Sequence, residues 1–158
     1  SRMIPARDFF VGFYETALQP DELVTGIRVP IPAAPVHAVY EKYVTRSKED
    51  RPCVGAFAAV RLAADGRQCE ELRVAVGAVA ETPQRFSEVE ALARGTLLED
   101  DTVRAIADGY AERIETLADM RGSAWYRTEM IRVWVRRAIA HAVARATGAQ
   151  QRNGSMAQ

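Results

Sequence analysis

The chain has 158 residues, of which 48% are hydrophobic, and its 21 basic and 21 acidic side chains balance. This length suits one globular domain that buries a core without disulfides or structural metals. The two cysteines, Cys53 and Cys69, lack the spacing of a disulfide framework or a zinc knuckle. No apolar run approaches the roughly 20 residues that a membrane-spanning helix needs, so we expect no membrane span and a cytoplasmic, reducing location.

Charge is unevenly distributed along the chain. Residues 121–158 contain seven arginines and one acid, Glu129, and residues 1–120 carry the compensating negative charge. Such a segment can bind nucleic acid, an acidic partner, or the acidic remainder of its own fold. Because nucleic-acid-binding domains are usually more basic than this chain, we favour the last two and expect no nucleic-acid partner.

The first 34 residues combine an aromatic segment with one predicted strand. Three phenylalanines and a tyrosine fall within residues 9–14, which is too apolar for an exposed terminus and indicates that the segment packs on another surface. Residues 23–29 alternate in polarity and then meet Pro30 and Pro32, a pattern that predicts a strand with a sharp end.

Three further strands are predicted at residues 37–44, 54–63 and 71–80. The Asp65-Gly66 pair between the last two is a strong hairpin signal. Because short connections join neighbouring strands in sequence, the pattern predicts an antiparallel meander.

The first of three predicted helices begins at a capping-box sequence. Ser87 and Glu90 have the required spacing, the helix runs through Leu92, and Gly95 fits its left-handed stop.

The other two predicted helices are longer. One runs from about residue 101 to 116, with Asp100 or Asp101 as its cap, and the other from about 123 to 146, ended by Gly148. Strands followed by helices are typical of an α+β fold, here a three-stranded antiparallel sheet packed against three C-terminal helices.

Residue types alone identify no active site. The sequence has no phosphate-binding loop, dinucleotide glycine fingerprint or zinc pattern, and His37 and His141 have no nucleophilic partner nearby in sequence. The most distinctive stretch follows the strand at 37–44, where basic and acidic side chains alternate between two apolar strands. It is either a solvated connection or a binding loop, and its charged residues are Arg46, Lys48, Glu49, Asp50 and Arg51.

Several spaced phrases resemble the medium subunit of the molybdenum hydroxylases, the FAD-carrying flavoprotein of carbon monoxide dehydrogenase and xanthine dehydrogenase. The resemblance covers nearly all of residues 5–145. The matching phrases, in order, are Asp8-Phe-Phe, Thr16 to Val24 with its Pro-Asp-Glu-Leu core, Ile27-Arg-Val-Pro30, Tyr40-x-Lys42 with Arg46 and Asp50, Val74 to Ala80, and Arg121 to Arg127.

The resemblance also implies a domain organisation. Residues 1–34 correspond to the tail of the preceding FAD-binding portion, 35–148 to the flavoprotein C-terminal domain, and 149–158 to a disordered tail. The glycine-rich turns that hold the FAD pyrophosphate in this family have no match here. We therefore expect a fragment that binds FAD poorly when it is isolated.

Two regions are expected by resemblance to approach the flavin. Val24 would supply an apolar contact, and Lys42 would lie near the ring system with a loop that carries Arg46, Glu49 and Asp50. A positive charge beside the ring favours its reduced, anionic form, and the loop charges would control access on the acceptor side. No catalytic or metal-ligating residue is expected in this chain.

Ser47 and Lys48 depart from the mammalian pattern of this loop, so the resemblance does not extend to nicotinamide binding. In the family, hydroxylation occurs at the molybdopterin of a large subunit, and electrons pass through [2Fe-2S] clusters of a small subunit to FAD. The chain would then help to cover FAD and dock these partner subunits. The alternatives are a structural or assembly domain that binds no cofactor of its own, or an unrelated regulatory domain that binds an acidic ligand.

Overall fold

A small two-stranded unit opens the chain. The computed structural model describes residues 1–47 and 49–155, with side chains described up to residue 148. The first elements are a short helix and two short antiparallel strands, α1 (Ala6–Phe9), β1 (Phe10–Gly12) and β2 (Glu15–Thr16). Residues 17–36 follow without helix or strand.

The main sheet has three antiparallel strands in the order β3-β4-β5. Their bounds are β3 (His37–Tyr43), β4 (Val54–Leu62) and β5 (Cys69–Gly77). The predicted meander is therefore confirmed. The last strand ends three residues before the predicted limit, because Ala78 turns away from extended backbone with a φ of 66°.

Helices follow the sheet and cover one of its faces. Their bounds are α2 (Ser87–Glu90), a 3₁₀ turn (Ala91–Ala93), α3 (Asp100–Arg113) and α4 (Ala124–Ser155). α4 packs on β3 and β4, α3 packs on α4, and α2 with the 3₁₀ turn lies against β5. This arrangement confirms the predicted α+β fold.

The core lies between the sheet and α4. Val39, Ala56, Ala58 and Val74 share the covered face, because residues two apart on a strand point the same way. The alanines of β4 let the helix approach closely, and each buried valine, leucine or isoleucine contributes about 1.5–3 kcal/mol. The helices contribute Ile106, Ile131, Val135 and Ile139, all fully buried.

The arginines of α4 pair largely with acids of the same domain. Arg132 contacts Asp108 at 2.9 Å, and Arg136 contacts Asp100 at 2.9 Å. His141 Nδ1 lies 2.6 Å from a carboxylate oxygen of Glu41 on β3. The basic helix therefore docks on the acidic remainder of its own fold, as one of the two favoured interpretations of the charge pattern required.

The predicted strand over residues 23–29 is wrong. The structure has no strand there, and Leu23, Ile27 and Val29 are 77–87% exposed. The alternation is real, but a strand also needs a neighbouring strand to satisfy its backbone groups. None of the described strands pairs with this segment.

The predicted helix caps are also corrected. Ser87 is the first residue of α2 and makes no capping hydrogen bond, since the carboxylate of Glu90 is used elsewhere. Asp100 lies in the first turn of α3, where its charge favours the helix N-terminus without capping it, and Asp101 joins it there. The predicted start of α4 near residue 123 is confirmed, and Ser123 caps the helix, because its Oγ accepts the backbone N–H of Tyr126 at 3.2 Å.

α4 continues to Ser155, so its predicted end near residue 146 is wrong. Gly66 and Gly95 are the glycines with positive φ among the described residues. Gly148 is therefore an interior helix residue, which costs about 1 kcal/mol relative to alanine and does not stop a long packed helix. The disordered tail over 149–158 stays a prediction, since residues 156–158 lie outside the described part. Within that part, no helix combines the length and apolar character that crossing a bilayer requires.

Candidate functional site

One row of residues crosses the sheet near the end of β3. The register pairs Lys42 with Gly55, and Gly55 with Gly77. One face of the sheet carries Val39 and packs on α4. Because side chains alternate along a strand, Lys42 points to the opposite, open face. We call Lys42, Gly55 and Gly77 the Lys42 row. It presents one ammonium group beside two backbone positions that have no side chain.

The open face around this row is partly aromatic. The next row on this face pairs Tyr40 with Phe57, and Tyr40 is 60% exposed. A Cβ placed on Gly77 would meet nothing within 4 Å, whereas one on Gly55 would contact the Tyr40 hydroxyl. Gly77 therefore leaves room on this face for a planar group, whereas the Tyr40 side chain occupies the space above Gly55.

The charged loop after β3 is organised by its own hydrogen bonds. The backbone N–H of Ser47 donates to Asp50 Oδ2 at 3.2 Å, and the Ser47 hydroxyl donates to Glu49 Oε2 at 3.0 Å. The Ser47 hydroxyl, and more weakly the charge of Lys42, lower the pKa of Glu49. The structure thus brings Lys42 and Glu49 into electrostatic range. Arg46 lies exposed in the same loop, and Lys48 lies outside the described residues.

Arg51 links this loop to the N-terminal unit. Its Nη1 donates to the Tyr14 hydroxyl at 2.5 Å, and its guanidinium lies 5.8 Å from the centre of the Tyr14 ring. No local sequence pattern predicts this pair, because the two residues are 37 positions apart.

An ion pair between Arg2 and Glu22, which we call the Arg2–Glu22 clasp, precedes Val24. Arg2 contacts both carboxylate oxygens of Glu22, at 2.8 and 2.7 Å, and also donates to the carbonyl of Ala17. The Arg2 hydrogen bond is the main reason that the pKa of Glu22 falls to about 2, and the backbone N–H of Gln19 adds to it. Val24 follows the clasp in the extended segment and is 54% exposed.

Many large apolar side chains are exposed in the N-terminal 34 residues. Such a concentration of exposed apolar side chains usually marks a contact with another domain or protein. Its side chains are 49–94% exposed: Phe10, Val11, Phe13, Tyr14, Leu23, Val24, Ile27, Val29 and Ile31.

An aromatic cluster supports the sheet beneath the Lys42 row. The hydroxyls of Tyr43 and Tyr126 share a hydrogen bond at 2.5 Å, and the Tyr43 ring stacks on Trp134 with centroids 5.2 Å apart. The Tyr126 hydrogen bond and burial raise the pKa of Tyr43. Arg137 covers Trp134, with 4.8 Å between its guanidinium carbon and the ring centroid.

Arg127, next to Tyr126, is only 2% exposed. It donates to the carbonyl of Ala78 and to Asp119. Burial disfavours the charge of Asp119, but hydrogen bonds from the Arg121 backbone and from Arg127 outweigh it and lower the pKa. Sequence reasoning missed the contacts of Tyr126 and Arg127, although both residues lie in the phrase Arg121 to Arg127.

Comparison with known proteins identifies the domain. The model of the CO dehydrogenase flavoprotein C-terminal domain matches residues 39–142. The chain is 38% identical over 148 residues to the carbon monoxide dehydrogenase medium chain of Afipia carboxidovorans, covering 92% of this chain and 50% of that protein. It is 38% identical over 141 residues to the glyceraldehyde dehydrogenase medium chain of Sulfolobus acidocaldarius, covering 88% and 48%.

One solved structure and one further relative agree with these matches. Carbon monoxide dehydrogenase from Hydrogenophaga pseudoflava matches with a TM-score of 0.84 and 35% identity, covering 91% of this chain and 49% of that one. The xanthine dehydrogenase FAD-binding subunit of Escherichia coli is 30% identical over 151 residues, covering 95% of this chain and 51% of that protein. The chain thus spans about half the length of the relatives it matches. It belongs to the CO dehydrogenase flavoprotein C-terminal domain family, the flavoprotein subunits of molybdenum hydroxylases.

Proposed function

We propose that this chain acts as the C-terminal part of the flavoprotein subunit of a molybdopterin-dependent hydroxylase or dehydrogenase. There it covers FAD and docks the partner subunits during electron transfer from iron–sulfur clusters to FAD. The observation that carries the proposal is the 38% identity over 148 residues with a carbon monoxide dehydrogenase medium chain. Molybdopterin and [2Fe-2S] clusters belong to the large and small partner subunits in this proposal, and the complex is cytoplasmic.

The residues of the Lys42 row fit the proposed cofactor. A planar ring can lie on backbone that has no Cβ, and Gly77 is open to at least 4 Å. FAD, when bound, supplies the redox chemistry of its isoalloxazine ring. Lys42 places a positive charge at the edge of this surface, and Glu49, in electrostatic range of it, moderates that charge.

The N-terminal apolar segment supports a second part of the proposal. Leu23, Val24 and Ile27 are exposed here, and the matched relatives are about twice as long as this chain. An FAD-binding half would cover these side chains, and Val24 would then contact the flavin. Arg46, Glu49 and Asp50 would line the acceptor side.

A fusion protein tests the cofactor assignment. This chain replaces the matching C-terminal half of the Afipia carboxidovorans medium chain, and flavin absorbance is measured after gel filtration. We expect the fusion to retain FAD, and the chain alone and the first half alone to retain little. A folded fusion without flavin would contradict the proposal and favour the structural or assembly role. Stoichiometric flavin on the chain alone would contradict the view that other segments hold the cofactor.

Lys42→Ala in the same fusion tests the role of the ammonium group. Removing a positive charge near the ring disfavours the added electrons, so we expect a lower flavin midpoint potential and a nearly unchanged melting temperature. Arg73→Ala is the matched control, because Arg73 is 56% exposed and lies on the same open face of β5, two rows away. If Lys42→Ala changes only the melting temperature, Lys42 is merely part of the polar surface of the strand.

A further inference from the structure

The first turn of α4 holds both outer strands of the sheet at the same end. Tyr126 reaches the end of β3 through the Tyr43 hydroxyl, and Arg127 reaches the end of β5 through the Ala78 carbonyl. The two contacts come from adjacent residues of one helix, yet their partners are separated by the whole width of the sheet.

Each contact lies one residue beyond the Lys42 row. Tyr43 follows Lys42 on β3, and Ala78 follows Gly77 at the end of β5. Because adjacent side chains of a strand point to opposite faces, Tyr43 faces α4 while Lys42 faces the open side. A shift of the first turn of α4 would therefore move both outer members of the row.

The charge of Arg127 is buried, and its stability depends on two hydrogen-bond partners. A guanidinium that is 2% exposed must keep its partners, since an unpaired buried charge is strongly destabilising. Its Nε has no hydrogen-bond partner, so the pairing with Ala78 and Asp119 carries the whole group. Ala78 is held at a φ of 66°, which a residue with a Cβ adopts only when its surroundings impose it.

The neighbouring backbone is packed tightly against this turn. A Cβ on Gly122 would lie 3.0 Å from Tyr126 Cδ1 and 3.3 Å from Cys53 Sγ. Cys53 N–H in turn donates to the carbonyl of Tyr43 at 2.8 Å. The hydroxyl of Tyr126 therefore has little freedom, and it transmits the position of the helix to β3.

We propose that Tyr126 and Arg127 are positioning residues, which set the relative placement of Lys42 and Gly77 on the open face. The consequence for flavin binding rests on the proposed function. The geometric part does not, and it can be measured on this chain alone.

Tyr126→Phe is the primary test variant, because it keeps the ring packing and removes only the shared hydrogen bond. Amide hydrogen exchange of the chain is expected to speed up roughly fivefold at Cys53, whose N–H donates to the Tyr43 carbonyl, and at Leu117, whose N–H donates to the carbonyl of Val79 next to Ala78. This factor is the cost of about one hydrogen bond. Tyr110→Phe is the control. It removes a buried hydroxyl that bonds Val74 and Phe86, away from the row, so exchange should rise there instead. Unchanged exchange at Cys53 and Leu117 in Tyr126→Phe would overturn the proposal.

The flavin readout separates positioning from simple stability. In the FAD-retaining fusion, we expect Tyr126→Phe to raise the FAD dissociation constant about fivefold or to shift the midpoint potential. Tyr110→Phe should lower the melting temperature at least as much without either effect. Flavin changes that follow the melting temperature in both variants would overturn the positioning role. A fusion that holds no FAD would refute the proposed function, and the exchange result would still decide the geometric proposal.

Discussion

The Glu90 carboxylate accepts the backbone N–H of Val74 at 2.8 Å, at the edge of β5 that faces away from β4 and pairs with none of the described strands. The Tyr110 hydroxyl completes the pairing by donating to the Val74 carbonyl at 2.7 Å. Arg85 holds the carboxylate in place at 2.8 and 2.9 Å. Side chains at Val74, together with the backbone of Gln84 at Val76 and of Gly95 at Cys69, thus cover this edge. The covered edge is protected from pairing with another chain.

Glu90→Ala should therefore lower the free energy of unfolding by about 2 kcal/mol, because it leaves the buried Val74 N–H without its acceptor. Arg85 is 53% exposed, so its freed charge can reach water and adds little to the loss. Chemical denaturation measures the change. Glu88→Ala on the same short helix is the control, since Glu88 is 61% exposed and lies 3.6 Å from Arg113; it should change stability by less than about 0.5 kcal/mol. Equal effects of the two substitutions would contradict the edge-protecting role.

The contact between Glu90 and Val74 also explains why the predicted capping box at α2 does not form. Ser87 and Glu90 have capping-box spacing, but Glu90 is recruited by β5 and Arg85, whose positions depend on the folded sheet. The strands of the sheet were predictable because alternation and hairpin signals are local. Residues 23–29 show the limit of that signal, since alternation does not provide a neighbouring strand.

The candidate site shows a similar division. Resemblance pointed to Lys42 and the loop, but the Lys42 row depends on the register of three strands. That register includes an irregularity at Arg61 and Leu62, which no local sequence pattern predicts. The contacts of Tyr126 and Arg127 span 83 and 49 residues and are equally invisible to local patterns.

Gly77→Ala tests whether a flat group occupies the Lys42 row. A Cβ there meets nothing within 4 Å of this chain, and the φ of Gly77 is not positive, so stability should change by less than about 0.5 kcal/mol. In the FAD-retaining fusion, the added methyl group would intrude on the ring and weaken FAD binding about tenfold. Flavin titration followed by fluorescence measures the affinity, with Gly148→Ala as the control. Unchanged affinity would place the ring elsewhere.

The Arg2–Glu22 clasp should open only in strong acid. The pKa of Glu22 is about 2 in the folded chain, below its usual 4.5. A depressed carboxyl pKa contributes stability above the unfolded value, and this contribution is lost as pH falls through the folded value. The amide signal of Gln19, which donates to Glu22 at 2.8 Å, should therefore titrate near pH 2. Arg2→Gln should move that midpoint up towards 4.5, and a midpoint already near 4.5 in the unchanged chain would show that the clasp does not form in solution.

Gly148→Ala distinguishes an interior helix position from a helix stop. A glycine in the left-handed conformation loses stability on substitution, whereas a glycine inside a helix gains about 0.5–1 kcal/mol from the higher helix propensity of alanine. No heavy atom lies within 4 Å of a Cβ at Gly148, so packing does not oppose the change. We expect a higher melting temperature and unchanged flavin binding in the fusion. Gly95→Ala is the opposite control, because Gly95 has a φ of 76° and should lose stability through backbone strain alone. A loss of stability in both variants would indicate that α4 ends near residue 146 and that Gly148 is its helix stop.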